Sequence, residues 1–60
     1  MLIKLQRQND FETILINPDN VTAIVPIRNY SRVVFADNEY VEVAERVEEI
    51  YGLIASKENE

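Results

Sequence analysis

Arg28, Tyr30 and Arg32 alternate along the stretch RNYSR, two guanidinium groups with a phenol between them. Guanidinium forks hold phosphates and aromatic rings stack on bases, so this spacing suits a nucleic-acid contact. Arginine and tyrosine are also the types that dominate protein interfaces, and two arginines on an exposed hairpin can serve solubility alone. From the residues themselves all three readings stay open. The other candidates for chemistry are carboxylates. General acid–base work needs a carboxyl held partly buried in a cleft, whereas Glu45, Glu48 and Glu49 read as the solvent side of a helix. Asp37, Asn38, Glu39 and Glu42 could offer oxygens to a calcium ion, but they lack the EF-hand spacing and its turn glycine. Hairpin-turn chemistry accounts for Asp37-Asn38 without a metal.

The chain has no histidine and no cysteine, which excludes a Ser–His pair, a catalytic thiolate, a disulfide and the usual zinc ligands. Its single glycine excludes a glycine-rich phosphate loop. The expectation is a protein that is not an enzyme and needs no cofactor or metal.

Charge is divided unevenly. Residues 1–36 set Lys4, Arg7, Arg28 and Arg32 against Asp10, Glu12 and Asp19, a balance of +1. Residues 37–60 set eight acids against Arg46 and Lys57, a balance of -6. An overall charge of -5 weakens the case for gripping a phosphate backbone, where affinity rests on Lys and Arg. No apolar run approaches the roughly 18 residues of a membrane span. The stretch MLIKLQRQ has neither the apolar core nor the cleavage site of a signal peptide. A cytoplasmic protein without a membrane partner is expected.

The elements that would position these residues follow from periodicity. Alternation predicts strands at Leu2–Arg7, Phe11–Ile16, Val21–Ile27, Tyr30–Ala36 and Glu39–Val43. Between them lie turns at Gln8-Asn9-Asp10, where Asn and Asp accept left-handed backbone, at Asn17-Pro18-Asp19-Asn20, at Arg28-Asn29, and at a two-residue Asp37-Asn38 hairpin. Pro26 cannot donate to a ladder and marks an edge or a bulge. In the third strand Val21, Ala23, Val25 and Ile27 would share one face, with Ile24 and Pro26 on the other. After Val43 the rhythm becomes helical, with Val43, Val47, Ile50 and Ile54 along one stripe. That helix lacks a Ser, Thr, Asp or Asn cap and ends between Tyr51 and Lys57, Gly52 being one candidate stop; residues 57–60 read as a frayed tail.

These motifs resemble two families. Ile3-Lys4-Leu5-Gln6-Arg7, Ile16-Asn17-Pro18-Asp19, Val33-Val34-Phe35, Tyr40-Val41-Glu42-Val43 and Arg46-Val47-Glu48-Glu49-Ile50 are together similar to the small FlbD-type (SwrD) flagellar accessory proteins. The resemblance spans nearly the whole chain and implies a non-enzymatic motility role. Met1-Leu2-Ile3 and Glu48-Glu49-Ile50-Tyr51 resemble the two ends of the CsrA family of dimeric RNA-binding regulators. That resemblance implies RNA contacts from Lys4, Arg7 and Arg46, although Val47 occupies the family's arginine position and Arg46 stands one residue earlier.

The expected architecture is α+β: one domain over residues 1–60, built as a five-stranded, mostly antiparallel meander or small barrel-like sheet followed by one amphipathic helix. A single helix covers one sheet face, and a domain this small needs a disulfide, a metal or self-association to complete its core. A homodimer or higher oligomer is therefore expected, joined through Ile24, Val25 and Ile27, with Arg28, Tyr30 and Arg32 offered to a protein partner. The expected function is a small protein-interaction or regulatory module; the alternative is a CsrA-like RNA-binding regulator using Lys4, Arg7 and Arg46.

Overall fold

The computed structural model describes residues 1–58. Five strands precede one helix: β1 (Ile3–Gln6), β2 (Thr13–Ile16), β3 (Val21–Ile27), β4 (Tyr30–Phe35), β5 (Tyr40–Val43) and α1 (Val47–Glu58), with a 3-10 turn at Pro18–Asn20. All strand pairs are antiparallel, which makes the fold α+β. The strands do not form the single five-stranded sheet that alternation suggested. They form two sheets, β1-β2 and β3-β4-β5.

The seam between the two sheets explains the difference. A lone bridge joins Arg7 to Val43. Gln8 N donates to Glu42 O and Ala44 N to Gln6 O, at 2.9 and 2.8 Å. There the pairing ends, because the Glu45 carboxylate accepts the Gln6 N–H at 3.0 and 3.1 Å. A side chain thus satisfies a β1 donor that a continuing ladder would otherwise have taken. Glu45 also accepts, through its backbone carbonyl, the hydroxyl of Ser31 at 2.8 Å. Ser31 is fully buried, and this bond removes the penalty of an unsatisfied hydroxyl. Glu45 is therefore a structural clamp rather than part of a solvated helix face.

Ile3, Leu5, Ile16, Val33, Val43 and Ile50 make the core, with Ile14, Val21, Ile24, Phe35, Val41 and Ile54 packed against it. β1 shows the expected alternation, Ile3 and Leu5 inside and Lys4 and Gln6 outside. β3 departs from it. The register slips between Val21, opposite Phe35, and Ala23, opposite Val34, so Thr22 is the extra residue of a bulge. The bulge turns Val21 inward with Ile24 and leaves Ala23 and Val25 exposed. Val21 and Val25 therefore do not share a face. Pro26 sits in β3, an edge strand of its sheet, as its missing N–H requires.

The turns hold the other departures. In the first hairpin Arg7 N donates to Glu12 O and Phe11 N to Arg7 O. The residue with left-handed backbone is Phe11 (φ 58°), not Asn9 or Asp10. Arg28, first of the two residues between β3 and β4, has φ 53°. The β4–β5 turn, closed by the Phe35–Glu39 pair, has three residues, Ala36, Asp37 and Asn38, rather than two. Phe35 N pairs with Glu39 O, Asn38 N donates to Phe35 O, and Asn38 takes the left-handed position at φ 70°. Asn17 caps the 3-10 turn, its side chain accepting from Asp19 N at 3.0 Å.

Helix α1 passes through Gly52 and includes Lys57 and Glu58, so neither the Gly52 stop nor a tail beginning at residue 57 holds; residues 59–60 lie outside the described residues. In place of a Ser or Asp cap, Glu49 reaches back to the Arg46 N–H at 3.4 Å, one half of a capping box. Ile50 is buried, Val47 and Ile54 are half-buried, and Glu48 and Glu49 are exposed, as the apolar stripe predicts.

Candidate functional site

Antiparallel register places side chains in rows across a sheet. Val25, Arg32 and Glu42 are opposite one another along one row of β3-β4-β5, Ala23, Val34 and Tyr40 along a second, and Ile27 faces Tyr30 in a third. The opposite face carries Val33 and Val43, both buried in the core. Val25, Ile27, Tyr30 and Arg32 are thus brought together on the outer face, while Ile24 packs against the core on the inner one.

On that outer face Arg32 is already engaged. Its Nη2 and Nε donate to Glu42 Oε2 at 2.8 and 3.3 Å, and its guanidinium carbon lies 4.6 Å from the Tyr40 ring centroid. The hydrogen bond to Glu42 raises the Arg32 pKa above its usual value. A cation paired and stacked in this way supports the sheet and offers little net charge to a phosphate.

Tyr30 leads to a different surface at one end of the domain. A cavity of about 140 Å³ is lined by Phe11, Asn29, Tyr30 and Ala44. A neighbouring one of about 230 Å³ is lined by Arg28, Tyr30, Arg46 and Glu48. Tyr30 belongs to both, with Phe11 on one side and Arg28 on the other. Phe11 leaves 63% of its surface in water. Both flanking residues have the positive φ that glycine normally supplies, a conformation costing an L-residue about 1–2 kcal/mol. Strain of this kind concentrates at functional sites, where the side chain is needed for something other than the fold. The chain's one glycine, Gly52, stands instead in the helix, where an added Cβ would meet nothing within 4 Å.

Lys4, Arg7 and Arg46 line three separate cavities. Lys4 lies on the exposed face of β1, opposite Leu15 in β2. Arg7 donates to Asp10 through Nε at 3.0 Å and again through Nη2, and approaches Glu12 at 3.5 Å. The Arg7 hydrogen bond, helped by the Glu12 N–H, lowers the Asp10 pKa from 3.8 to about 2. Asp37 accepts the Glu39 N–H at 3.1 Å, and Glu42 is held by Arg32.

Comparison with family models, with curated proteins and with solved structures gave no match. The site therefore stands on its geometry. Phe11 is the member that sequence reasoning missed, because it was assigned to the start of β2. The sequence did not single it out, since Asn9 and Asp10 are the residues of that hairpin that ordinarily take left-handed backbone.

Proposed function

We propose that the protein is a small, non-enzymatic interaction module that binds another protein through the end formed by Phe11, Arg28 and Tyr30. The observation that carries this reading is the pair of non-glycine, left-handed residues flanking one half-buried tyrosine. Phenylalanine, tyrosine and arginine are suited to anchor a contact, since each offers a large area with few rotamers or a fork of donors. Self-association across the outer sheet face, through Val25 and Ile27, is part of the same proposal and would cover an apolar strip beside Tyr30. The similarity of the strand and helix motifs to FlbD-type proteins supports an accessory role in motility as its setting, in the cytoplasm. Among the described residues no helix is long and apolar enough to cross a membrane.

Photo-crosslinking in the producing cell tests the proposal. A photoreactive phenylalanine analogue at position 11 preserves the ring, and the same analogue at exposed Asp19, on the 3-10 turn, serves as control. The proposal expects one discrete protein adduct from position 11, absent from position 19 and lost when Tyr30→Ala is added. Indistinguishable adduct patterns from both positions would refute it.

A further inference from the structure

Beyond that reading, we infer that a second surface, the groove between β1-β2 and α1, receives an acidic amphipathic segment of a partner protein. The groove is the largest of the cavities described, about 470 Å³, and is lined by Leu2, Ile3, Lys4, Leu15, Leu53 and Lys57. Ile3 is its buried floor. Leu2, Leu15 and Leu53 are 52, 59 and 39% exposed, so three leucines of a 60-residue chain stand open around one depression. Lys4 lies opposite Leu15 in the register, and Leu53 and Lys57 are one helical turn apart. A groove with apolar walls on a sheet and a helix suits a helix that presents apolar side chains at one-turn spacing.

Charge selects the occupant. The chain carries -5 overall and has two lysines, and both are on this groove. An acidic partner would find both lysines on a rim with leucines beside them. A second copy fits poorly. Two-fold pairing of groove on groove would set Lys4 and Lys57 against their own counterparts. Insertion of the acidic helix of one copy into the groove of the next would be head-to-tail, and such a contact propagates unless the rotation closes it. A different protein bearing an acidic amphipathic helix meets neither difficulty.

The test uses the whole chain, isotopically labelled, and two synthetic helical peptides. Both carry leucines at positions i, i+3 and i+7; one has glutamates on its flanks and the other has lysines there. The expected result is saturable amide shifts at Leu2, Leu15 and Leu53 with the glutamate peptide and none with the lysine peptide. Lys4→Glu/Lys57→Glu should weaken the glutamate peptide by about tenfold, as the loss of two exposed ion pairs implies. The double variant should also bind the lysine peptide. Leu53→Asp, checked by its amide dispersion to be folded, should abolish the shifts. Equal response to both peptides, no saturable response, or shifts confined to the Tyr30 end would overturn the inference. Concentration-dependent shifts at the same leucines without peptide would also overturn it, because a second copy would then be the occupant.

Discussion

Replacing Arg28 with glycine should make the protein more stable while removing a residue assigned to binding. Arg28 is the first of two loop residues between β3 and β4, at φ 53°. Its side chain is exposed and has no ion pair among the described residues. Left-handed backbone costs an L-residue about 1–2 kcal/mol, and glycine escapes that cost. Ordering a glycine costs about 0.5–1 kcal/mol more than ordering alanine. The difference is a net gain of up to about 1.5 kcal/mol, centred on about 0.75 kcal/mol, which raises Tm by about 3–6 °C for a domain of this size. Arg28→Ala keeps the unfavourable φ and should lie within about 0.5 kcal/mol of the parent, as exposed sites do. Urea and thermal unfolding of the three proteins side by side measure both effects. A glycine variant no more stable than the alanine variant would refute the claim that Arg28 is held against its backbone preference.

Ile50→Ala should cost about 2–5 kcal/mol, the range for emptying a buried isoleucine site, whereas Glu48→Ala should stay within about 0.5 kcal/mol; equal losses in urea unfolding would mean the helix faces are misassigned. Gly52→Ala should stabilise by about 1 kcal/mol, since the new methyl meets nothing and alanine is the better helix former; a destabilised variant would show that something packs closely there. Asp10 has a folded-state pKa of about 2 against 3.8, so the unfolded chain binds its proton first. Stability from this group is complete above pH about 4 and is lost as pH falls toward 2, and Asp10→Asn should flatten that part of an acid-unfolding profile. Val25→Glu should remain folded but sediment as monomer where the parent sediments as a larger species, while Ile24→Asp should unfold the chain; a parent that stays monomeric at micromolar concentration removes self-association from the account. A GGA-containing RNA hairpin should bind no tighter than about 10⁻⁶ M at physiological salt, because Lys4, Arg7 and Arg46 line separate cavities.

Much of the fold is legible in the chain because its alternation is regular. β3 has the predicted ends, and Ile3, Leu5 and Ile50 fall inside where their spacing places them, whereas Val43, read as part of the helical stripe, is buried as the last residue of β5. What could not be read depends on single residues acting across long separations. Whether β1 joins β5 in one sheet depends on the Glu45 carboxylate, 39 residues from the Gln6 N–H it accepts. That Val21 faces the core with Ile24 depends on Thr22 being skipped in the register, since a bulge flips the residues on its far side without changing the composition. The candidate site was half legible. Arg28, Tyr30 and Arg32 alternate along the hairpin that carries the candidate site, but the pairing of Arg32 with Glu42 and Tyr40 removes it from the set. Phe11 joins through a turn from another part of the chain.

The central claim is that Tyr30 and its strained neighbours form a binding site, and one titration tests it most directly. The protein captured by crosslinking at position 11 is titrated calorimetrically against the parent chain and against Tyr30→Ala, with the variant first shown to unfold cooperatively and to keep its amide dispersion. The account expects the parent to bind and the variant to lose at least about tenfold in affinity, the effect of removing a contact worth about 1.4 kcal/mol or more. An unchanged affinity in a folded Tyr30→Ala variant would contradict it.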